Sequence, residues 1–571
     1  MSHRSGIVVA SVVALSAALA SVALAQRPAV TVITGTLVGA DGAPMKAALV
    51  HLYRPRAPRE TARTPVSADG RYAIATTDSG AFYIQFTGVD HYAASVPLLL
   101  GRPATIALDV RLKHYAYTDS LERITAIGDW NHFSFESGRP LVRQSDGRYT
   151  LDVEVAADTL AYQLLGLEAG GSRSTNGTLS DRYVYDNGGD YRSIIRTRNG
   201  RATIVFDPAA LRRVPGDRSV VFRDPASRAA RLYALIRLWE EERQAFAESS
   251  MAARARRDST WRYDWAPVVA RRTSALGRER DPEARLLLLH EILDAAQLRA
   301  ALDTEMARRI TREIAPSSPW WSFYLFGGVS SMMRAVQLAA GAPDRARADT
   351  AQLRETLIYL DRANVEHPDS GVKADALRDA IFLAKAIGDH IRANEYYNRF
   401  VHEYPNSFDV AYVNAQFSPN RVMRVGVPAP AFRFASLDDS AVTYSRESMM
   451  GRFYLLDFWA TWCGPCIGDM PYLHAAHDSL ASQGLEILSI SLDRRPEDVR
   501  QFRTGEWRMP WLHAFAAAGM DSPQMRQLEI LFVPRMVLVG REGTILAVDE
   551  GLRGQGMTAT IRRALEATRA P

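Results

Sequence analysis

Cysteine is nearly absent from this chain: its 571 residues contain two, Cys463 and Cys466. A disulfide between residues so close in sequence adds little stability, because cross-link stabilisation grows with the length of the closed loop. The sequence leaves no other cysteine for a structural disulfide. The pair is therefore interpreted as a redox dithiol whose role is chemical.

Lysine is almost as scarce, so nearly all positive charge is carried by arginine. The chain contains only Lys46, Lys113, Lys373 and Lys385. The formal net charge is +5, which is small for this length and predicts no nucleic-acid surface. None of the four lysines lies in the region of the cysteines.

Long apolar runs are missing after the first 25 residues. The stretch 7–24 ends in the small-residue sequence Ala23-Leu24-Ala25, which is typical of a cleavable signal peptide. A retained membrane anchor is the alternative, because the stretch is barely long enough to span a bilayer. The prediction is a signal peptide at residues 1–25 and an exported protein of the periplasm or cell envelope.

The residues around the cysteines predict where the chemistry is located. The apolar run Phe453 to Trp459 predicts a strand, followed by a loop and a helix that begins near Cys463. Unpaired amide groups at a helix N-terminus favour a thiolate, so Cys463 is the predicted nucleophile and Cys466 the resolving residue. Pro465 has no amide hydrogen to lose in the first turn, and Gly464 keeps the approach to the sulfurs open.

The segment from Asp457 to Cys466, followed by Asp469-Met470-Pro471, resembles the thioredoxin superfamily. It is most similar to the exported thiol-disulfide oxidoreductases related to ResA and TlpA. The resemblance covers about a quarter of the chain and implies an α/β thioredoxin-like domain at residues 421–571. It implies an enzyme, a thiol-disulfide oxidoreductase.

The resemblance also implies roles for two acids. Asp457 matches the buried acid that relays a proton to the resolving cysteine, and the alternative is a strand-end aspartate satisfied by backbone donors. Asp469 stands where the relatives carry a glutamate, and a solvated carboxylate favoured by the helix dipole is an equal alternative. Both are candidate catalytic residues together with Cys463 and Cys466.

A proline beside the dithiol completes the implied site. Val533-Pro534 falls where the family keeps a cis-proline, which would offer main-chain hydrogen bonds to an extended substrate. Arg535 follows where the family usually has threonine, a change expected to alter substrate choice more than chemistry. The predicted substrate-binding residues are Trp462, Gly464, Pro465, Val533 and Pro534.

Other chemistries fit the spacing less well. A peroxiredoxin needs proline and threonine at positions that are here Leu456 and Ala460. His474 and His477 lie two or more turns beyond the sulfurs, so a solvated helix face is favoured over a metal site. No metal is predicted, and no cofactor other than the redox-active disulfide Cys463–Cys466.

The expected function is reduction of protein disulfides through a mixed disulfide. The Gly-Pro dipeptide between the cysteines is the thioredoxin choice and favours a reductant. The expected partners are protein disulfide substrates, with apocytochrome c as one candidate, and a membrane thiol electron donor. Two alternatives stay open: a disulfide isomerase or chaperone, and an envelope binding scaffold whose thioredoxin domain senses redox state.

The rest of the chain predicts a multidomain protein, because 571 residues exceed one core. Alternating strands with Asp-Gly turns predict two N-terminal β-sandwiches, at residues 26–115 and 116–222. The first is similar to carboxypeptidase-regulatory-like domains and the second to early-set modules, for which carbohydrate binding is not expected. Residues 223–420 predict an all-α region that resembles tetratricopeptide (TPR) hairpins.

Overall fold

The computed structural model describes residues 30–568 except 56–59, 102, 120, 122, 136, 169–179, 181, 257–260, 299–308, 310, 324–349, 440, 506 and 550. The predicted signal peptide at residues 1–25 lies outside the described residues. None of the helices within the described ranges is both long enough and apolar enough to cross a membrane. The chain divides into two units, residues 1–379 and 380–571.

The first unit begins with strands and ends with helices. The strands are β1 (Thr31–Val38), β2 (Ala48–Tyr53), β3 (Ala62–Pro65), β4 (Arg71–Thr76), β5 (Gly80–Gly88), β6 (His91–Leu100), β7 (Thr105–Arg111), β8 (Thr125–Gly128), β9 (Arg139–Pro140), β10 (Val142–Arg143), β11 (Tyr149–Glu154), β12 (Thr159–Leu165), β13 (Arg182–Tyr185), β14 (Tyr191–Arg196), β15 (Arg201–Phe206) and β16 (Ser219–Phe222). The helices are α1 (Arg228–Ala255), α2 (Ala266–Arg278), α3 (Pro282–Leu298), α4 (Thr350–Glu366) and α5 (Ser370–Ala386), of which α5 continues into the second unit.

The strands form two successive pairs of sheets. The first pair has the orders β16-β7-β1-β4 and β3-β2-β5-β6, and side chains of both sheets fill one core. The second pair has the orders β10-β11-β15 and β13-β14-β12-β8-β9, with its own core. Exposed and buried residues alternate along strands such as β4, because successive side chains point to opposite faces.

One strand departs from the predicted domain boundary. β16 falls inside residues 116–222, which the sequence assigns to the second sandwich, but it pairs with β7 of the first. Val220 lies opposite Val110, and Phe222 joins the first core. The sequence gives no local signal for such long-range pairing, because the pattern of exposed and buried residues along β16 would be the same in either sheet.

The predicted helical middle region is confirmed in its described parts. The side chains of Trp239, Trp265 and Trp320 pack in one buried cluster in this region. The cluster includes Ala81 of β5, so the helices cover one of the sheets. Burial of large aromatic side chains explains how these helices are held on that sheet. The specific resemblances to carboxypeptidase-regulatory-like, early-set and TPR domains stay predictions.

The second unit contains two short helices followed by an α/β domain. Its elements after α5 are α6 (His390–Glu403), α7 (Val410–Phe417), β17 (Arg433–Ser436), β18 (Thr443–Ser445), β19 (Phe453–Trp459), α8 (Gly464–Leu480), β20 (Leu485–Ser491), α9 (Pro496–Thr504), β21 (Leu512–Phe515), α10 (Pro523–Gln527), β22 (Arg535–Val539), β23 (Ile545–Val548) and α11 (Met557–Ala567). The sheet order is β18-β17-β21-β20-β19-β22-β23.

The sheet of the α/β domain places β19 near its centre. β19 runs parallel to β20 and antiparallel to β22, and all seven of its residues are buried. A central strand covered on both faces is mostly apolar, and this explains why the sequence of β19 does not alternate, with Asp457 as its charged residue. One core contains α8 and α11 residues, and the other face of the sheet has a second core. This is the thioredoxin-like arrangement that the sequence predicts.

Candidate active site

The two cysteines lie where β19 leads into α8. Cys463 is the N-cap of α8, and its Sγ accepts a hydrogen bond from the Cys466 amide at 3.2 Å. The two sulfurs form a disulfide in this structure. The predicted strand at Phe453–Trp459 and the predicted helix start are both confirmed. The helix N-terminus therefore directs its unpaired amide groups and its positive dipole end toward Cys463.

The loop between strand and helix is held by a residue that the sequence analysis missed. Asp493, which follows β20, accepts hydrogen bonds from the Thr461 amide at 3.1 Å and from Thr461 Oγ1 at 2.6 Å. Ser491 Oγ donates to the same carboxylate at 2.8 Å. Asp493 is buried, so these donors compensate for its lost hydration. Asp493 thus fixes the loop that carries the nucleophile.

The cysteines are almost fully buried, but three residues beside them are exposed. Cys463 is 5% exposed and Cys466 is 2% exposed, and both belong to the core under α8. Trp462 is 62% exposed, and a Cβ added to Gly464 would meet no atom within 4 Å. Trp462, Gly464 and the exposed Pro465 therefore form the open border of the dithiol. The free space beside Gly464 agrees with the expectation that this residue keeps the approach to the sulfurs open.

Asp457 is buried in the middle of β19 and has one side-chain partner. Ser489 Oγ donates to Asp457 Oδ2 at 2.8 Å. Burial raises the pKa of Asp457 to about 7, the Ser489 hydrogen bond opposes that rise, and the negative charge of Asp469 reinforces it. A carboxyl with this pKa exchanges a proton near neutral pH. The alternative predicted backbone donors to Asp457, whereas the donor in the structure is the side-chain hydroxyl of Ser489.

Asp469 is buried, and so it is not the solvated carboxylate that the sequence left as an equal alternative. Its Oδ2 accepts a hydrogen bond from Arg553 Nε at 2.7 Å, and its Oδ1 accepts one from the Gly554 amide at 3.2 Å. The side chain of Arg553 is 42% exposed and that of Asp469 is 8% exposed. The sequence analysis missed Arg553, which is 84 residues from Asp469 and has no local signal.

The loop that contains Val533 and Pro534 adjoins the core that contains the two cysteines. The Val533–Pro534 peptide is cis, which confirms the expectation from the resemblance. Val533 packs against the core that contains both cysteines. Arg535, by contrast, is 1% exposed and its Nη1 donates to Asp549 Oδ2 at 2.6 Å. The side chain is thus buried in an ion pair, and the expected effect of Arg535 on substrate choice stays a prediction.

The two histidines of α8 differ from the expected solvated face. The His474 ring lies 4.9 Å from Trp511 and 5.7 Å from Trp507, and the His477 ring lies 5.4 Å from Trp511. Both side chains are half-buried. Among the described residues, no group of three or more histidine, cysteine or acidic side chains is placed to hold a metal ion.

Comparisons with known proteins agree with this geometry. The Redoxin family matches residues 424–564. The chain is similar to the thiol-disulfide oxidoreductase ResA of Oceanobacillus iheyensis, with 34% identity over 94 residues that cover 16% of this chain and 49% of the relative. It is also similar to ResA of Bacillus cereus, with 24% identity over 136 residues that cover 24% of this chain and 75% of the relative. The chain thus spans about half the length of the first of these curated relatives.

A solved structure is also similar to this chain. It is the thioredoxin domain of a thiol-disulfide oxidoreductase from Bacteroides vulgatus, with 26% identity and a TM-score of 0.23. The match covers 25% of this chain and 99% of that domain. The Redoxin match and the likeness to the curated relatives lie in the C-terminal part of the chain, where the dithiol is located.

Proposed function

We propose that this protein is an exported thiol-disulfide oxidoreductase that reduces disulfides of other proteins through a mixed disulfide. The placement of Cys463 Sγ at the N-terminus of α8, with the Cys466 amide 3.2 Å away, supports this proposal most directly. In the reduced protein, that amide and the helix dipole would stabilise a thiolate on Cys463. Cys463 is therefore assigned as the nucleophile.

The first step transfers the target onto Cys463. The Cys463 thiolate attacks one sulfur of a target disulfide, so the target S–S bond breaks and a bond between Cys463 and the target forms. The second target sulfur leaves as a thiolate and takes a proton from water. A low thiol pKa raises the thiolate fraction at neutral pH, and it also makes Cys463 a good leaving group later.

The second step releases the target. Cys466 loses its thiol proton to the Asp457 carboxylate, and the resulting thiolate attacks Cys463 Sγ. The bond between Cys463 and the target breaks, the Cys463–Cys466 disulfide forms, and the target leaves with its remaining sulfur reduced. The target disulfide has then gained two electrons from the dithiol. The product state of the enzyme is the disulfide seen here.

The two acids support the second step in different ways. Because the pKa of Asp457 is about 7, a large fraction is ionised at neutral pH and can accept a proton. Asp469 accepts hydrogen bonds from Arg553 and from the Gly554 amide, and its negative charge raises the pKa of Asp457. We assign Asp457 as the proton acceptor and Asp469 as a residue that tunes it through its charge.

The substrate would bind at the open border of the dithiol. Trp462 offers an exposed aromatic surface, and Gly464 and Pro465 leave room beside the sulfurs. Val533 and Pro534 lie in the loop that packs on the same core. An extended target segment with apolar side chains next to its cysteine suits this border, since a large aromatic ring at an interface contributes by burial.

The reaction requires a partner on each side. A reductase that ends in the disulfide state must be reduced again by a dithiol, and an exported protein would receive these electrons from a membrane thiol carrier. The targets would be exported proteins with disulfides, with apocytochrome c as one candidate. Export itself is proposed on the signal-peptide pattern of residues 1–25.

The proposal is tested by insulin reduction with the full chain and dithiothreitol as the electron donor. Cys463→Ser is expected to reduce turnover to background, and Cys466→Ser is expected to accumulate a mixed disulfide visible on non-reducing gels. Gly468→Ala is a matched control, because this α8 residue is exposed and an added Cβ meets no atom within 4 Å. Wild-type rates in both cysteine variants would contradict the proposal.

The same variants separate the alternatives. A disulfide isomerase would refold scrambled ribonuclease faster than it reduces insulin, and Cys466→Ser would retain part of that activity, because isomerisation can proceed from the mixed disulfide alone. A redox-sensing scaffold would show neither activity. A reductase would show insulin reduction that requires both sulfurs.

A further inference from the structure

Three polar side chains form a row across the buried sheet below the dithiol. Asp457 on β19 is paired in register with Ser489 on β20, and Ser489 is paired with His513 on β21. Cross-strand partners share a face of a sheet, so the three side chains point toward α8. All three are buried, at 1%, 0% and 1% exposure respectively. Polar groups at such positions require partners, because unpaired burial is costly.

The hydrogen bonds of this row have only one possible direction. Trp511, the residue before β21, places Nε1 at 2.9 Å from Ser489 Oγ. An indole N–H is a donor only, so Ser489 Oγ accepts this bond. A serine hydroxyl has one hydrogen, and the remaining short contact of Ser489 Oγ is Asp457 Oδ2 at 2.8 Å. The order of donation is therefore Trp511 to Ser489 to Asp457.

This direction distinguishes the two oxygens of Asp457. Oδ2 accepts from Ser489 in either protonation state, because the Ser489 hydrogen has no other acceptor among the described residues. Oδ1 makes no hydrogen bond to any residue that the structure describes. A proton that binds Asp457 is therefore expected on Oδ1, where it displaces no existing bond.

The charged surroundings do not supply a cation to Asp457. Asp469 on α8 contributes negative charge and is itself held by Arg553. Burial lowers the pKa of His513 to about 4, so this neighbour is neutral at pH 7, and its Nε2 contacts Met509 O at 3.1 Å. The His474 ring packs against the rings of Trp511 and Trp507, and burial lowers the pKa of His474 as well.

Lysine is also missing from this part of the chain, where Lys385 is the last one. Within the described residues, Asp457 is in no ion pair. Its carboxylate is therefore stabilised by neutral donors. A hydroxyl that donates to a carboxylate favours the charged form, and the Trp511 N–H occupies one of the two acceptor sites of that hydroxyl, which favours donation by Ser489 to Asp457.

We infer that Ser489 and Trp511 are positioning residues that keep Oδ2 of Asp457 as a fixed acceptor and leave Oδ1 to take the Cys466 proton in resolution. This inference rests on the proposed function. In this inference two neutral side chains, Ser489 and Trp511, stabilise the Asp457 carboxylate without a cationic partner. The bonds formed and broken in resolution are unchanged, and the proton passes from Cys466 Sγ to Asp457 Oδ1 and then to water.

The test measures how fast a preformed mixed disulfide on Cys463 resolves, as a function of pH, in the full chain. The rate of resolution plotted against pH has an inflection at the pKa of Asp457. Ser489→Ala removes the donor to the carboxylate, so this inflection is expected to move upward by about one pH unit. Ser489→Thr keeps the hydroxyl and is expected to restore the wild-type inflection. Trp511→Phe frees the Ser489 hydroxyl to accept from the protonated acid, so a smaller upward shift is expected.

Trp507→Phe is the matched control for Trp511→Phe. Trp507 also packs against His474, but its Nε1 has no hydrogen-bond partner among the described residues. Its replacement is expected to leave the inflection unchanged. A merely structural role for Ser489 would lower stability without moving the inflection. An unchanged inflection in Ser489→Ala would overturn the inference.

A second measurement does not require turnover. The carboxylic acid C=O infrared band that Asp457→Asn removes is followed against pH in the oxidised full chain, and its midpoint should rise in Ser489→Ala. If Asp457→Asn leaves the kinetic inflection in place, the proposed proton acceptor is wrong. If Asp457→Asn abolishes the inflection but Ser489→Ala shifts neither midpoint, only the positioning role fails.

Discussion

Arg553 Nε lies 2.7 Å from Asp469 Oδ2, and this contact joins the last part of the chain to the helix that carries the dithiol. Asp469 is nearly buried, whereas the side chain of Arg553 is 42% exposed. The charge of Asp469 raises the pKa of Asp457, the buried acid beneath the cysteines. Arg553 therefore binds the residue whose charge acts on Asp457.

Arg553→Gln is expected to lower the free energy of unfolding of the second unit by about 1–2 kcal/mol, because it leaves a buried carboxylate with only the Gly554 amide. The uncompensated charge of Asp469 should also raise the pKa of Asp457. The pH profile of resolution measures this, and its inflection should move upward. Asp469→Asn should move the inflection downward. Arg562→Gln, an exposed replacement on α11, is the control and should change neither quantity.

Asp457→Asn is expected to stabilise the second unit at alkaline pH. The folded pKa is about 7 and the ordinary value is 3.8, so between these values the folded state retains a proton that the unfolded state releases. The free energy of unfolding therefore falls as the pH rises from about 4 to about 7, and the full cost is present above pH 7. Asn should recover up to about 4 kcal/mol at pH 8 and nothing at pH 4.

Pulse proteolysis in urea at the two pH values measures this difference in the oxidised protein. The same variant should slow resolution more than attack, so the mixed disulfide should persist longer at neutral pH. Equal stabilisation at pH 4 and pH 8 would show that burial of the carboxylate is not the cause. An unchanged lifetime would remove Asp457 from the proton transfer.

Trp462→Ala is expected to weaken the reduction of protein disulfides while leaving the reactivity of the dithiol toward small disulfides intact. The side chain is 62% exposed, so its removal should not disturb the core. KM for insulin should rise by about tenfold, corresponding to a lost aromatic contact of about 1.4 kcal/mol. Phe408→Ala removes another exposed aromatic side chain of the second unit and should have no effect. Equal loss with both types of disulfide would contradict a binding role.

Gly464→Val is expected to block the approach of a polypeptide to Cys463. A Cβ added at residue 464 meets no described atom within 4 Å, so the fold should tolerate a side chain there, but that side chain would lie at the open border of the dithiol. Insulin reduction should fall at least about tenfold, while unfolding in urea stays within about 1 kcal/mol of wild type. Gly468→Val, in the same helix and also free of contacts, is the control. If Gly468→Val lost as much activity, a change in the helix would be the better explanation.

Much of the site could be predicted from residues 453–466. The apolar run Phe453 to Trp459 predicted a strand, and a helix was predicted to begin near Cys463; the structure has both. The partners of the two acids could not be predicted. Arg553 is 84 residues from Asp469, so no periodicity or spacing rule connects them.

Ser489 gave a weaker signal that could have been used. It lies between the apolar residues Leu488 and Ile490 of β20, and a buried hydroxyl in such a strand requires a hydrogen-bond partner. The identity of that partner depends on the register of β19 against β20, which only the folded sheet defines. The two histidines of α8 were expected to be solvated, but Trp507 and Trp511 cover them from a segment distant in sequence.

The sequence by itself determined the chemistry: two cysteines separated by Gly-Pro, behind an apolar strand and at a helix start, specify a dithiol with one activated sulfur. These features depend on neighbouring residues, and local backbone preferences are sufficient to produce them. Only the tertiary structure decided how the acids are tuned, because burial and hydrogen-bond direction arise when distant strands and helices pack together. Tertiary packing thus sets the pKa of Asp457, the contact of Arg553 with Asp469, and the hydrogen bonds from Trp511 to Ser489 and from Ser489 to Asp457.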